Sequence, residues 1–212
     1  MMKMHGTTIV AVHKDGVSAI AGDGQVTLGD MIVKKGAVKV RSLQDGKVVA
    51  GYSGSVSDAF TLMEKFDGYL ASAKGQLVKA AVDTVKEWRT DRALRNLEAM
   101  LVVADHEQVL TLSGFGDVVA PDVPVASVGS GGAYAEAAAR ALLQNTDLSA
   151  AEIVRKALEI SSDIDIYSSG HITVLTVPDA GADKELEDSK ESEKTEKIEE
   201  VTSSTEESNY YD

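Results

Sequence analysis

The chain has 212 residues and a mass of 22.4 kDa, with 43% hydrophobic residues, which suffices for one domain with a sizeable core and is short for two. A net charge of −13, from 21 basic and 34 acidic side chains, opposes general affinity for nucleic acid or anionic lipid, and no run reaches the roughly 18 uncharged apolar residues of a membrane helix. With no cysteine, disulfide scaffolds, thiolate metal sites, iron–sulfur clusters and cysteine nucleophiles are excluded.

Residues 1–6 are too short and too polar for a secretory signal, so cytoplasmic location is the default expectation. Two strand-like runs, 7–12 and 17–21, flank Asp15–Gly16, and two more, 38–43 and 47–52, flank Asp45–Gly46. Asp–Gly between β-rich runs is a strong hairpin signal. Ala59, Leu62, Met63, Phe66 and Leu70 recur at helical spacing, as do Val78, Val82 and Val85, which predicts two consecutive helices. Residues 100–104 and 109–113 form a third strand pair, and 125–128 a further strand. A second helix pair is expected over 132–165: an alanine-rich run, then Ser149 and Glu152 in a capping-box pattern ahead of Ile153, Ala157, Ile160 and Ile164. Ile172–Val177 reads as the last strand. Hairpin-linked strands cannot build an all-parallel sheet, so this order predicts an α+β domain over 7–178, with antiparallel sheets and helices grouped on their outer faces. Residues 179–212 carry 13 acidic residues and 4 lysines with almost no large apolar side chain. That composition cannot offset the entropy of ordering, and a disordered acidic tail is expected there.

The four histidines, His5, His13, His106 and His171, show no HxH, HExxH or i, i+4 pairing and no GxSxG frame, which argues against metal hydrolases and histidine-based serine hydrolases. The run GSGG at 129–132 lies between a strand and a helix, where backbone amides can cradle a phosphate. Tyr134 and Ala135 stand where a dinucleotide fingerprint needs its third glycine, and GxxxxGK[ST] is absent. A tight turn whose amides and Ser130 hydroxyl face a site is the other reading. A threonine hydroxyl needs a base to become a nucleophile, and without a histidine the nearest candidate is a free α-amine on the same residue. The reference pKa of that amine, about 7.7–8.0, suits proton exchange near neutrality. Thr7 meets this requirement only if residues 1–6 are removed. Gly6 is small enough to let the peptide bond bend back toward the adjoining hydroxyl. On spacing alone, the plainer reading of Thr7 and Thr8 is the start of a β-strand, which threonine favours.

Six blocks occur in order: TTIVAV at 7–12, AGDGQVTLG at 21–29, KVRSL at 39–43, AGYSGSVSDAFTL at 50–62, EWRTDRALRNLEAML at 87–101 and SVGSGGAYAEAAARALL at 127–143. From Thr7 to Val177 the chain resembles the HslV (ClpQ) peptidases, bacterial relatives of proteasome β-subunits. The resemblance implies an N-terminal-threonine peptidase on a four-layer αββα sandwich. It implies Thr7 as nucleophile with its α-amine as base, Lys39 beside it, Asp23 pairing with Lys39, and Ser130 near the amine. Gly54 corresponds to the donor of the oxyanion-stabilising N–H, with Gly51 a less certain position on the same segment.

The resemblance also implies a structural sodium ion held by backbone carbonyls of Ser162, Asp165 and Ser168. Asp165 departs from the uncharged residue usual there; it either adds an oxygen ligand suited to a divalent ion or caps the preceding helix. Two stacked hexameric rings, fed with unfolded protein by a hexameric ATPase of the HslU (ClpY) type, complete the implied assembly. The six-residue leader and the acidic tail are further departures. Two other functions stay open: a non-catalytic structural subunit that keeps its leader, and a nucleotide-binding regulator using residues 129–132.

Overall fold

The structure is a computed structural model and describes residues 4–5, 7–54, 56–90, 99–113 and 115–177. The expected tail at 179–212 lies outside the described residues, as do Gly6 and residues 1–3 of the expected leader. In chain order the elements are β1 (Met4–His5), β2 (Thr8–Lys14), β3 (Val17–Asp23), β4 (Val26–Leu28), β5 (Met31–Lys34), β6 (Val40–Leu43), β7 (Val48–Gly54), α1 (Val56–Ser72), α2 (Leu77–Thr90), β8 (Ala99–Ala104), β9 (Val109–Ser113), β10 (Val118–Val119), β11 (Val125–Gly129), α3 (Gly132–Asn145), α4 (Ala150–Ile164) and β12 (Ile172–Val177).

All three expected strand pairs form. Asp15 and Gly16 turn β2 into β3 with positive φ at both residues (52° and 78°), the geometry that matches the right-handed twist of paired strands. The second turn is longer than its Asp–Gly pair suggested, because Gln44 also takes positive φ and β7 starts only at Val48.

A sheet in the order β11-β2-β3-β12 packs against one in the order β10-β9-β8-β7-β6, and every neighbouring pair is antiparallel. Alternation along β2 explains the layering, since successive side chains point to opposite faces. Ile9 and Ala11 enter the space between the sheets with Ile20, Val40, Val49 and Val102. Val10 and Val12 meet Ala135, Ala139, Ile153 and Ala157 of α3 and α4. On the far side, Leu62, Phe66 and Leu70 of α1 and Trp88 of α2 cover Leu101, Val103, Leu110 and Leu112. Each large apolar side chain so buried is worth about 1.5–3 kcal/mol. The result is the expected αββα sandwich.

Two helix faces differ from expectation. Leu77, Ala80, Ala81, Thr84, Val85 and Trp88 are the buried stripe of α2, while Val78 is exposed. Of the expected valines, Val85 lies on the buried face, Val82 is half-buried and Val78 lies outside it. In α4 the capping box is present, and Ile153 and Ala157 are buried, but Ile160 and Ile164 lie on the exposed side. A third sheet, β1-β4-β5, was not anticipated. There Met4 pairs with Leu28 and His5 with Thr27, so the backbone just ahead of Thr7 runs along β4.

Candidate active site

Strand ends bring the expected residues together. Asp23 closes β3 and is 1% exposed. Its Oδ1 accepts the Thr8 N–H at 2.7 Å and the Lys39 ammonium at 2.9 Å; Oδ2 accepts the Gln25 N–H at 2.8 Å and the Ser169 N–H at 3.3 Å. Lys39, just before β6 and 3% exposed, also donates to the Gln25 carbonyl at 2.5 Å. Burial is the largest influence on this ammonium and lowers its pKa from the ordinary 10.5, while Asp23 and then Asp165 push it back up. Desolvation outweighs pairing because protein encloses almost the whole Lys39 side chain.

A second group of side chains grips the same strand start from α3 and α4. The Ser130 N–H donates to the Thr7 carbonyl at 3.0 Å and the Gly131 N–H to Thr8 Oγ1 at 3.0 Å. Asp165, buried at the C-terminal end of α4, accepts the Ser130 and Ser168 hydroxyls on Oδ2, each at 2.7 Å, and the Tyr167 N–H on Oδ1 at 3.1 Å. Thr8 Oγ1 lies 2.5 Å from Ser168 Oγ. A carboxylate only accepts, so the Ser168 proton is committed to Asp165 and the Thr8 hydroxyl donates to Ser168.

Glycine makes this close approach available. Gly129 has φ of +101°, and a methyl group there would sit 1.8 Å from the Thr7 carbonyl oxygen and 3.2 Å from Ser53 Oγ. The 129–132 turn therefore presses directly on the residue pair Thr7–Thr8. Its amides at 130 and 131 are spent on those two residues rather than offered to a phosphate.

Gly54, the last residue of β7 with φ of +122°, follows Ser53, whose Oγ lies 3.2 Å from where a methyl group on Gly129 would stand. Gly51 is elsewhere: a methyl group on it would lie 2.7 Å from Ile9 Cγ2 and 3.0 Å from Ile20 Cδ1. It is a packing position between the sheets.

The positions assigned to a cation by resemblance surround the end of α4, whose last carbonyls lack intrahelical donors and carry partial negative charge. Carbonyl oxygens of this kind suit a hard cation. Ser162 turns its hydroxyl back to the Glu159 carbonyl, and the Asp165 carbonyl accepts the Ser168 N–H at 3.0 Å. The Asp165 backbone N–H closes the last turn of α4 on the Ser161 carbonyl, while its carboxylate, an acceptor that cannot satisfy helix-terminal carbonyls, takes the Tyr167 N–H on Oδ1 and the Ser130 and Ser168 hydroxyls on Oδ2. The side chains of Asp165 and Ser168 thus belong to the Thr7–Thr8 corner, which the sequence reading did not foresee. Thr8 and Gln25 were also missed, although the adjacency of Thr8 to Thr7 and of Gln25 to Asp23 was available as a signal.

A four-layer sandwich whose threonine-led first strand is gripped by a buried lysine and a hydroxyl–carboxylate cluster defines a hydrolase of the N-terminal-nucleophile class. The family model described as "Proteasome subunit" matches residues 3–177, and the chain belongs to that family. The "ATP-dependent protease subunit HslV" of Desulfovibrio desulfuricans is 52% identical over 177 residues, covering 83% of this chain and 100% of the relative. The protein of the same name from Pseudothermotoga lettingae is 53% identical over 173 residues, covering 82% and 98%. Among solved structures, eukaryotic HslV from Trypanosoma brucei is 44% identical with a TM-score of 0.77, covering 81% of this chain and 99% of that one. Thiobacillus denitrificans BPH, at 18% identity and a TM-score of 0.65, shares the fold.

Proposed function

We propose that this chain is the peptidase subunit of an ATP-dependent, proteasome-like protease that cuts unfolded polypeptides with Thr7 as an N-terminal nucleophile. The observation that carries the reading is the convergence of Asp23, Lys39, Ser130 and Asp165 on the chain at Thr7 and Thr8. Removal of residues 1–6 frees the Thr7 α-amine; Met4 and His5, in β1, pair with Leu28 and Thr27 of β4. The amine takes the hydroxyl proton as Oγ1 attacks a peptide carbonyl carbon. The Gly54 N–H stabilises the oxyanion, and one such preorganised donor is worth roughly 2.7–4 kcal/mol. Collapse expels the amine product, which takes the proton, and leaves an ester on Thr7. Water, activated by the same α-amine, then hydrolyses the ester. The Lys39 ammonium favours deprotonation of its neighbours, because like charge disfavours a second proton.

The relatives' name, an ATP-dependent protease subunit, supports an unfoldase partner, and the resemblance supports a hexameric AAA+ type for it and a homo-dodecamer of two stacked rings for this chain. The carbonyls of Ser162, Asp165 and Ser168 would hold a sodium ion, which would brace the loop after α4. Among the described residues no helix is long and apolar enough to cross a membrane, and a cytoplasmic setting suits the reading.

Treatment with a peptide epoxyketone, which closes a ring with both hydroxyl and α-amine, tests the nucleophile. A single adduct on Thr7 as the first residue is expected. An active preparation that keeps residues 1–6 and carries no Thr7 adduct overturns the reading. Intact mass also separates it from a non-catalytic subunit, which would retain the leader.

A further inference from the structure

Gln25 lies between β3 and β4 and is 3% exposed, and the mechanism above makes no use of its side chain. Its backbone belongs to the Asp23–Lys39 half of the site, with the N–H on Asp23 Oδ2 and the carbonyl accepting Lys39 Nζ. Its side chain reaches the other half. Nε2 donates to the Ile166 carbonyl at 2.8 Å and to Thr27 Oγ1 at 3.2 Å. Those are both of its N–H groups, and a carbonyl can only accept, so the amide is fixed in this orientation. Ile166 follows Asp165 and precedes Ser168 by two residues. Its own side chain is 77% exposed, so apolar burial does not hold this residue of the loop in place. The Gln25 amide is the bond on its carbonyl, and at 2.8 Å it is shorter than the loop's other tie to the Asp23 half, the Ser169 N–H on Asp23 Oδ2 at 3.3 Å.

We propose that Gln25 is a positioning residue: its side-chain amide, bonded to the Ile166 carbonyl, sets the spacing between the Asp23–Lys39 pair and the Asp165–Ser168–Ser130 cluster across Thr7. The proposal rests on the Thr7 reading. The two halves approach Thr7 and Thr8 from different elements, β3–β6 and α3–α4, and Gln25 is bonded to both. A shift of the loop moves the Asp165 carboxylate, and with it the direction of the Ser130 and Ser168 hydroxyls.

The test uses the assembled protease with its AAA+ partner, a peptide epoxyketone at varied concentration, and two variants. Gln25→Met keeps the length and removes both donors; Gln25→Glu keeps the shape and sets an acceptor against the Ile166 carbonyl. With the parent labelled at Thr7, both variants are expected to lose roughly ten- to 100-fold in kinact, the range that small misplacement of reacting groups produces, with KI changed less than about twofold. The ratio of Gln25→Glu to parent kinact should rise as pH falls, because a protonated carboxyl regains a donor for the Ile166 carbonyl. A residue serving stability alone would lower the melting temperature and leave kinact and that ratio unmoved. Parental kinact in both variants, or a loss confined to KI, overturns the proposal. If Gln25→Met does not assemble, the pH dependence of the Gln25→Glu ratio decides: a rise on acidification supports it and a flat ratio refutes it. Failure of the parent itself to label at Thr7 would instead refute the proposed function.

Discussion

Replacing Asp23 with asparagine keeps the side chain's shape and removes its charge. Four donors converge on its two oxygens: Thr8 N–H and Lys39 Nζ on one, Gln25 N–H and Ser169 N–H on the other. Asparagine offers one oxygen and one NH₂, so in either orientation two donors face a donor. The Lys39 ammonium, 3% exposed, loses its counter-charge. Breaking a buried pair by removing one partner costs about 3–5 kcal/mol, and for a domain of this size each kcal/mol shifts Tm by about 2–4 °C. The expected fall in Tm is therefore roughly 6–20 °C.

The pH dependence identifies the cause. Burial lowers the Lys39 pKa below 10.5 even with Asp23 opposing it; without Asp23 it falls further. Between the folded-state value and 10.5, the unfolded chain holds a proton that the folded chain has released, so stability rises with pH across that window. Below the folded value both states are protonated and Lys39 contributes no slope. In Asp23→Asn the window extends to lower pH, so its deficit against the parent is largest on the acid side and narrows as pH rises. Thermal or denaturant unfolding of both proteins across neutral to alkaline pH measures this. Equal stability at all pH values, or a deficit that widens on alkalinisation, refutes the account of a buried, charge-dependent lysine.

Gly129→Ala places a methyl group 1.8 Å from the Thr7 carbonyl oxygen; peptidase activity should be abolished and leader removal impaired, read by intact mass and epoxyketone labelling. Gly51→Ala should cost about 1–3 kcal/mol by overpacking the space between the sheets. Adding Ile20→Val, which removes the Cδ1 atom met at 3.0 Å, should recover part of that loss in a double-mutant denaturation cycle.

The elements legible in the sequence were those with a local cause. The Asp15–Gly16 turn, the Ser149–Glu152 cap and the apolar run of β2 each carry their signal within a few residues. β4 and β5 were not legible, since Met31, Ile32 and Val33 are exposed on this chain and no alternation marks an inner face. The buried faces of α2 and α4 were only partly legible: Val85, Ile153 and Ala157 are buried as expected, but Val78, Ile160 and Ile164 are exposed, and Ala80, Ala81, Thr84, Ala150 and Ser161, which carry little periodic signal, complete the inner faces. Asp23, Lys39 and Ser130 were found through resemblance; their spacing of 16, 107 and 91 residues contains no local pattern that pairs them. Asp165 and Ser168 were assigned through their carbonyls alone, because nothing in residues 161–169 says that the loop reverses and points side chains at a strand more than 150 residues earlier.

That reversal gives the site its direction. In a cluster of hydroxyls, protons can be arranged in several ways, and a site that must leave one amine free to accept a proton needs a single arrangement. Asp165 imposes one: the Ser130 and Ser168 protons both go to Oδ2. The Thr7 carbonyl oxygen, 3.5 Å from Ser130 Oγ, is a second and longer acceptor for the same proton, and in the proposed function the Ser130 lone pairs accept from the N–H groups of the Thr7 amine. An amine that donates to Ser130 turns its lone pair elsewhere, toward its own hydroxyl. Lys39 biases the same group by charge. In the proposed function the proton acceptor is thus oriented by one buried carboxylate and its field is supplied by one buried ammonium, with Thr7 held between them.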